Sequence, residues 1–315
     1  MRLRFEKWQA LGNDYLIVEA EQLPFELTPA RVRRLCEPHF GPGGDGVLLL
    51  ARPASTSEYV AELRIFNPDG SEAELSGNGA REAIMYLRRR GWTDRDEFAI
   101  GTAAGTIRPR ITGADTCTVD MGRASLTSKD YPGGPDDGIG ELSAAGRMWR
   151  FQHVSIGNPQ CAIHVEDLAR LNALDLSAIG PAIEGHELWP NRTNVSWYTE
   201  VDPRDPSSDA IHARIFERGV GETLSSGTGA TGAAVAYVLE RRGDRATPAG
   251  TTAGTTVGTP AGDTQSAAVV TVVLDGGELE VAVGEDLAIE LTGWAKPVFE
   301  GALSDDFLKE LHETE

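Results

Sequence analysis

The sequence predicts an α/β protein of two pseudo-symmetric domains, each a sheet followed by one central helix. Three observations lead to this class: an internal repeat, a change from strand-like to helix-like periodicity in both copies, and one helix that is apolar on nearly all sides. The chain has 315 residues, a length that corresponds to about two domains. We therefore expect two domains of similar fold.

The internal repeat is the most informative feature. The segment RIFNPDGSEAELSGNGAREA, which begins at Arg64, aligns without a gap with RIFERGVGETLSSGTGATGA, which begins at Arg214. One constant offset of 150 residues relates the two copies, and nine positions are identical. Since solenoid units recur every ~20–50 residues, a period this long indicates duplicated domains.

Each copy is predicted to run from a strand into a helix. The segments 60–67 and 210–217 alternate or run apolar as strands do, and Gly-rich turns follow both. Apolar residues then recur at helical spacing until Arg residues precede Gly91 or Gly243, which is typical of helix ends. Because the second helix is apolar through Val238, we expect it to be buried along most of its length.

Domain boundaries follow from this organisation. We predict a first domain from residues 1–122 plus about 293–315, and a second domain from residues 123–292. A final strand around Trp294 to Phe299 is expected to return to the first domain. The segment Thr247–Ala268 is rich in Gly, Thr and Pro, and it is predicted to be a flexible surface loop.

Composition excludes several classes of function. The formal net charge is −19, whereas contact with nucleic acids or anionic membranes depends on clustered Lys and Arg. We expect no nucleic-acid partner and no membrane contact, because no segment reaches the ~20 apolar residues of a membrane span. The N-terminal residues lack the features of a signal peptide, and the three cysteines show no CxxC spacing. The chain is therefore expected to be cytoplasmic, without disulfides or a metal site.

Two serines stand at equivalent Gly-x-Gly turns, each at the start of a helix. Ser76 precedes Gly77, and Ser226 precedes Gly227. Unpaired N–H groups and the helix dipole make such a turn attractive to a carboxylate. Two such turns facing each other would place one proton-transfer group on each side of a bound carbon, which is the geometry for inverting a stereocentre. The alternative is that each serine is a helix cap, since serine is a favoured cap.

The motifs taken together resemble the diaminopimelate epimerase family. They are LGNDY from Leu11, RIFNPDGSE from Arg64, SGNGAR from Ser76, SIGNP from Ser155, PNRTN from Pro190, ERGVGET from Glu217 and SGTGA from Ser226. The resemblance covers nearly the whole chain. It implies two α/β domains, each a curved sheet around a central helix, with an amino acid as substrate. It also implies that no pyridoxal phosphate, metal or nucleotide is required.

The resemblance assigns roles to individual positions. It places the backbone of Gly77 and Asn78, and of Gly227 and Thr228, at the α-carboxylate of the substrate. It places Ser76 and Ser226 at the catalytic positions. The side chains expected to hold the distal end of the substrate are Asn13, Asn67, Asn158, Asn194 and Arg218. Arg218 is also expected to balance the charge of Glu217.

The chain departs from the family pattern at several of these positions. The family has catalytic cysteines where this chain has Ser76 and Ser226, a histidine where it has Gln160, and usually a glutamine where it has Gly46. A helix dipole contributes at most ~2 kcal/mol, which cannot make a serine hydroxyl an alkoxide at neutral pH. Of the groups nearby that titrate, Glu217 remains, and its carboxylate could activate a serine.

Four functions stay open at this point. The chain could epimerise LL-diaminopimelate to the meso form for lysine and peptidoglycan precursors, slowly or through Glu217-assisted serines. It could be an isomerase or dehydratase of the same fold that acts on another small amino or carboxylic acid. It could bind an amino acid without turning it over, or the serines could be engineered replacements. We take the epimerase as the leading function and keep a homodimer open as the assembly.

Overall fold

A computed structural model describes residues 3–73, 76–202, 209–245 and 267–314 of the chain. Apart from its last two residues, the predicted surface loop Thr247–Ala268 lies outside these ranges. Among the described residues, none of the helices has the length and apolar character that a bilayer span requires.

Strands make up most of the described fold, and their bounds are β1 Arg4–Ala10, β2 Asn13–Glu19, β3 Val47–Ala51, β4 Ala61–Phe66, β5 Glu72–Ala73, β6 Ile100–Thr102, β7 Gly105–Ile107, β8 Pro109–Ile111, β9 Thr116–Arg123, β10 Ile139–Ala144, β11 Arg147–Ser155, β12 Pro159–His164, β13 Asn194–Glu200, β14 Ala210–Glu217, β15 Gly221–Thr223, β16 Ala268–Leu274, β17 Gly277–Val283, β18 Ala288–Trp294 and β19 Lys296–Ala302. The α-helices are α1 Pro29–Cys36, α2 Gly77–Arg89, α3 Leu168–Asn172, α4 Leu176–Glu184, α5 Gly227–Arg245 and α6 Asp305–Glu313. A short 3₁₀ turn covers Ala20–Gln22.

The chain divides into two compact units. The first contains residues 1–120, 275–277 and 291–315, and the second contains residues 121–274 and 278–290. The sheet of the first unit has the strand order β19-β1-β2-β3-β4-β6-β7, with β5 paired to β4. The other sheet has the order β10-β11-β12-β13-β14-β16-β17-β18-β9-β8, with β15 paired to β14.

One helix packs on each sheet at the position that the repeat predicts. Helix α2 contacts β1, β2, β3 and β19, and helix α5 contacts β11 to β14 and β16. Helix α5 is buried along nearly its whole apolar stretch, from Gly229 to Val238, which confirms the expectation from its sequence. The mixed α/β fold with one helix central to each sheet is the predicted class.

Separate apolar clusters hold the other face of each sheet. In the first unit, α1 and α6 contribute Val32, Leu35 and Leu311 to a cluster with β2 and β3. In the second unit, α3 and α4 pack Leu171 and Ile183 against Trp149, Trp197 and neighbouring residues. Each unit therefore has its own core, as expected of a domain that buries a sheet between helices.

The repeat is also present in the strand pairing. Phe66 pairs with Glu72 across β4 and β5, and Phe216 pairs with Glu222 across β14 and β15. In both copies the Arg that opens the repeat donates from Nε to that glutamate, at 2.9 Å for Arg64 to Glu72 and 2.9 Å for Arg214 to Glu222. The Arg–Glu pair of the repeat therefore forms the same contact in both units.

The predicted end of the second helix was wrong by a few residues. Helix α5 continues through Gly243 to Arg245, whereas the prediction ended it before Gly243. A glycine inside a helix costs about 1 kcal/mol relative to alanine, and an otherwise favourable helix can carry that cost. Helix α2 ends as expected, because Gly91 follows it in the left-handed region with φ 69°.

Candidate active site

Ser76 begins helix α2 and accepts two hydrogen bonds. Its Oγ accepts from the N–H of Gly79 at 3.1 Å, so it is the N-cap of the helix. It also accepts from the phenol of Tyr15, with 3.2 Å between the two oxygens. The expectation of a helix cap at this position is therefore correct, and the hydroxyl has a second neighbour that the sequence did not suggest.

The ring of Tyr15 fills the space beside Gly46. A Cβ atom added to Gly46 would lie 2.5 Å from Cε1 of Tyr15 and 2.3 Å from the backbone oxygen of Phe66. The strand β2 places Tyr15 with only 5 % of its surface exposed. The absence of a side chain at residue 46 is thus what allows the ring to sit where its hydroxyl reaches Ser76.

Asparagine side chains connect the first turn to a buried arginine. Nδ2 of Asn78 donates to Oδ1 of Asn13 at 3.2 Å, and Nδ2 of Asn13 donates to Asp45 at 2.8 Å. Arg81 is fully buried and donates to Oδ1 of Asn78 at 2.6 Å and to the carbonyl of Gly77 at 3.1 Å. Three of the predicted site residues, Asn13, Asn78 and Gly77, therefore lie in one hydrogen-bonded group.

Asn67 and Glu82 of the first unit lie outside this hydrogen-bonded group. Asn67 donates from Nδ2 to Ser71 at 2.9 Å within its own turn. Glu82 is fully buried next to Arg81, and burial raises the pKa of its carboxyl well above the usual range, against the opposing effect of Arg81. The neutral form of Glu82 is therefore favoured.

Ser226 begins helix α5 and donates its hydrogen bond. Its Oγ donates to Oε2 of Glu217 at 2.9 Å, and it accepts from the N–H of Gly229 at 3.3 Å. Glu217 is the last residue of β14, and the Gly-rich turn after it brings the chain back to the helix start. Burial raises the pKa of Glu217, and the hydrogen bond from Ser226 opposes that change. A carboxylate that is hydrogen-bonded to a serine at a helix start is an arrangement for general-base chemistry.

Asn158, Thr228 and Gln160 form the counterpart of the asparagine group in the second unit. Nδ2 of Asn158 donates to Oγ1 of Thr228 at 3.2 Å, and Nε2 of Gln160 donates to Oδ1 of Asn158 at 2.8 Å. Gln160 is fully buried, and Gly232 of α5 leaves room for it, because a Cβ there would lie 2.8 Å from Cβ of Gln160. An amide at residue 160 orients Asn158 but cannot act as a base toward a substrate.

Asn194 and Arg218 also meet, but Arg218 does not balance Glu217. Oδ1 of Asn194 accepts from the backbone N–H of Arg218 at 2.9 Å, and the guanidinium of Arg218 donates to the carbonyl of Asn191 at 3.1 Å. Among the residues that the structure describes, no ion pair joins Arg218 to Glu217. Adjacent residues at the end of a strand point in different directions, and this explains why the expected charge pairing fails.

Sequence reasoning assigned no role to two residues that complete these turns. Tyr15 belongs to the motif LGNDY, but nothing in the spacing of the motif indicates that its hydroxyl reaches Ser76. Glu184 of α4 accepts from the N–H of Gly219 at 2.7 Å and from Arg192 at 2.9 Å, which fixes the loop after Glu217. A contact between residues far apart in sequence leaves no periodic signal.

One cavity of the first unit is lined by residues outside both serine turns. This cavity has a volume of about 460 Å³, and Glu19, Tyr86 and Arg90 are among its lining residues. Their polar atoms are already paired, since Tyr86 donates to Glu19 at 2.8 Å and Arg90 contacts Glu6 and Glu300. Within the described ranges, no group of three His, Cys, Asp or Glu residues is arranged to hold a metal.

Known structures share this fold at low sequence identity. A phenazine biosynthesis protein of the PhzF family from Bacillus anthracis matches with a TM-score of 0.63 and 19 % identity, over 96 % of this chain and 99 % of that one. A hydroxyproline epimerase from Agrobacterium vitis, with trans-4-hydroxy-L-proline bound, matches with a TM-score of 0.60 and 16 % identity, over 96 % of this chain and 91 % of that one. The fold is thus one that a PhzF-family protein and a hydroxyproline epimerase also have.

Sequence comparison defines the family within this class. The sequence profile described as diaminopimelate epimerase matches residues 5–127 and 152–297. The diaminopimelate epimerase of Synechococcus elongatus is 37 % identical over 309 residues, which cover 96 % of this chain and 99 % of that protein. The one from Desulfitobacterium hafniense is 38 % identical over 314 residues, which cover 96 % and 98 %. The chain belongs to the diaminopimelate epimerase family, which is a family of isomerases.

Proposed function

We propose that the chain epimerises diaminopimelate at an α-carbon, without a cofactor, as a step of lysine biosynthesis. The observation that supports this most directly is the 2.9 Å hydrogen bond from Ser226 to Glu217. It gives one of the two turns a base, although both turns have serine in place of a thiol. Membership of the family supplies the substrate class.

Proton removal is assigned to Ser226 together with Glu217. As Oγ of Ser226 takes the α-proton of the substrate, the hydroxyl proton of Ser226 passes to Oε2 of Glu217. The electron pair of the broken C–H bond is delocalised into the α-carboxylate, and this charge is stabilised by N–H groups at a helix start. A proton from Ser76 then forms the new C–H bond on the opposite face. Each transfer breaks one bond to hydrogen and forms another, so no oxidant or reductant is needed.

Substrate binding is assigned to the asparagines, Arg218 and the two helix starts. The backbone of Gly77 and Asn78, and of Gly227 and Thr228, would hold the α-carboxylate. Arg218 is exposed and has donors beyond the one that it gives to Asn191, so its guanidinium is free to grip the distal carboxylate in a bidentate manner. The side-chain amides assigned to the distal end are Asn13, Asn67, Asn158 and Asn194.

The deciding experiment follows α-proton exchange and inversion of LL-diaminopimelate in deuterated water. We expect slow exchange and inversion by the chain as it stands. The double variant Ser76→Cys/Ser226→Cys should be at least about tenfold faster, because thiols at helix starts are acidified. Arg218→Ala should abolish binding measured by calorimetry, and Arg147→Ala, an exposed arginine outside both turns, serves as its control.

Two outcomes would contradict the proposal in different ways. Binding without exchange, in both the serine and the cysteine forms, would indicate an amino-acid-binding homologue. Absence of binding, with turnover of another small amino or carboxylic acid, would indicate an isomerase or dehydratase of the same fold.

A further inference from the structure

We propose that Tyr15 supplies the proton at the first turn, so that Ser76 acts as the proton donor and the pair of Ser226 and Glu217 as the proton acceptor. This inference rests on the proposed function and assigns a direction to it. It also gives the chain a proton source that the Gly-x-Gly motif alone does not contain.

Hydrogen-bond direction separates the two serines. Oγ of Ser76 accepts from both Tyr15 and Gly79, and within the described part of the chain no acceptor is found for the hydrogen of Ser76. That hydrogen is therefore available for a substrate. Ser226 gives its hydrogen to Glu217 and accepts from Gly229, so the free position on its oxygen is a lone pair. The hydrogen bonds therefore orient the Ser76 hydroxyl to donate a proton and the Ser226 hydroxyl to accept one.

Tyr15 carries the more acidic type of hydroxyl at this turn. A phenol has a pKa near 10, far below that of an aliphatic alcohol. When Ser76 gives its proton to the carbanion, the phenol O–H bond of Tyr15 breaks and its proton moves to Oγ of Ser76. The charge passes to the phenolate, which regains a proton from water after product release. The N–H of Gly79 continues to donate to the serine oxygen throughout.

Packing holds the phenol in place for this transfer. The ring is buried on β2, and the backbone oxygen of Phe66 and the ring itself fill the space that a side chain at Gly46 would occupy. In the second unit Gln160 is the residue equivalent to Tyr15, because Gly157-Asn158 is equivalent to Gly12-Asn13. Gln160 donates to Asn158, and among the described residues no hydrogen bond joins it to Ser226. The proton-supplying residue is thus specific to the first unit.

The first test compares exchange with inversion in Tyr15→Phe, which keeps the ring and removes the hydroxyl. Inversion should fall about tenfold or more in both directions, because the LL and meso isomers interconvert through one transition state. For the isomer whose α-proton faces Ser226, exchange without inversion should persist, and KM should change little. Tyr59→Phe is the matched control, because Tyr59 is a hydrogen-bonded phenol of the same unit, 2.8 Å from Oγ1 of Thr106. If Tyr15→Phe matches Tyr59→Phe in both rates while the parent chain is active, the inference is overturned and the proposed function stands.

The second test does not depend on turnover. The thiol of Ser76→Cys is titrated by its ultraviolet absorbance, with and without Tyr15→Phe in the same chain. A donated hydrogen bond favours the thiolate, so Tyr15→Phe should raise the pKa of this thiol by about 1. Burial raises the pKa of all three native thiols, to about 12 for Cys36 and for Cys117 and well above the usual range for Cys161, so they stay silent in this titration. A thiol pKa that is the same with Tyr and Phe at residue 15 would overturn the inference, even in a chain without epimerase activity.

Discussion

Ser76 and Ser226 begin their helices in the same way, but their hydroxyl groups have different neighbours. Each accepts from the backbone N–H three residues ahead. Ser76 is then approached by a phenol, whereas Ser226 is paired with a carboxylate. The backbone of the turn is thus common to both units, and the chemistry is set by side chains that come from neighbouring strands.

The repeat shows where the two turns diverged. At the constant offset of 150 residues, Asn67 is equivalent to Glu217. Asn67 bonds to Ser71 within its own turn, while Glu217 reaches the serine. The first turn therefore has an amide where the second has a carboxylate within hydrogen-bond distance of its serine. The comparison teaches that a duplicated scaffold can keep its helix caps and strand register while the side chains around its two serines differ.

Removal of the Glu217 carboxylate should have the largest effect on exchange and inversion. Glu217→Gln keeps the shape and a hydrogen bond to Ser226 but cannot take up a proton at this position. We expect exchange and inversion of diaminopimelate to fall by about 10²–10⁴, with binding retained in calorimetry. The control is Glu278→Gln, because Glu278 is an exposed carboxylate on β17. Unchanged exchange in Glu217→Gln would show that the second turn does not act as the base.

The two units should also differ in how their stability responds to pH. His153 of the second unit is fully buried, and burial lowers its pKa to about 4. Because the folded pKa lies below the unfolded value of about 6.5, the unfolded chain binds the additional proton. Stability is therefore present above pH 6.5 and is lost as the pH falls towards 4, by up to about 3 kcal/mol.

Denaturant unfolding of His153→Gln across this pH range checks the expectation. The variant should lose less stability between pH 7 and pH 4 than the parent chain. His39→Gln is the control, since His39 is exposed. Equal pH dependence in the parent and in His153→Gln would mean that another group causes the acid response.

Much of the fold could be predicted because it leaves periodic signals. Strands 60–67 and 210–217 and both central helices follow from alternation and helical spacing, and the repeat relates them. The end of α5 could not be placed, because Gly243 is a typical signal for a helix end, yet the helix continues through it to Arg245. Local propensity is a weak guide where tertiary context decides the boundary.

The candidate site was predictable only as a set of positions. The motifs indicated Ser76, Ser226 and Glu217, and the structure brings the last two together at 2.9 Å. The approach of Tyr15 to Ser76 joins residues 61 positions apart, and it depends on the empty space at Gly46. A glycine that makes room for a distant ring has no signature of its own in a single sequence.

Gly46→Ala provides the last and smallest expected effect. Its new methyl group would lie 2.5 Å from the ring of Tyr15 and 2.3 Å from the backbone oxygen of Phe66, so either the ring or the strand has to move. We expect a loss of stability of about 1–3 kcal/mol, which is usual for overpacking, and a slower inversion because the phenol leaves Ser76. Gly133→Ala is the control, since nothing lies within 4 Å of a Cβ there.

A double-mutant cycle tests whether Gly46 acts through Tyr15. Gly46→Ala should slow inversion little once Tyr15→Phe is present, because both changes remove the same hydrogen bond. If each substitution instead slows inversion by the same factor whether or not the other is present, Gly46 does not act through the Tyr15 hydroxyl. Its role would then be limited to packing.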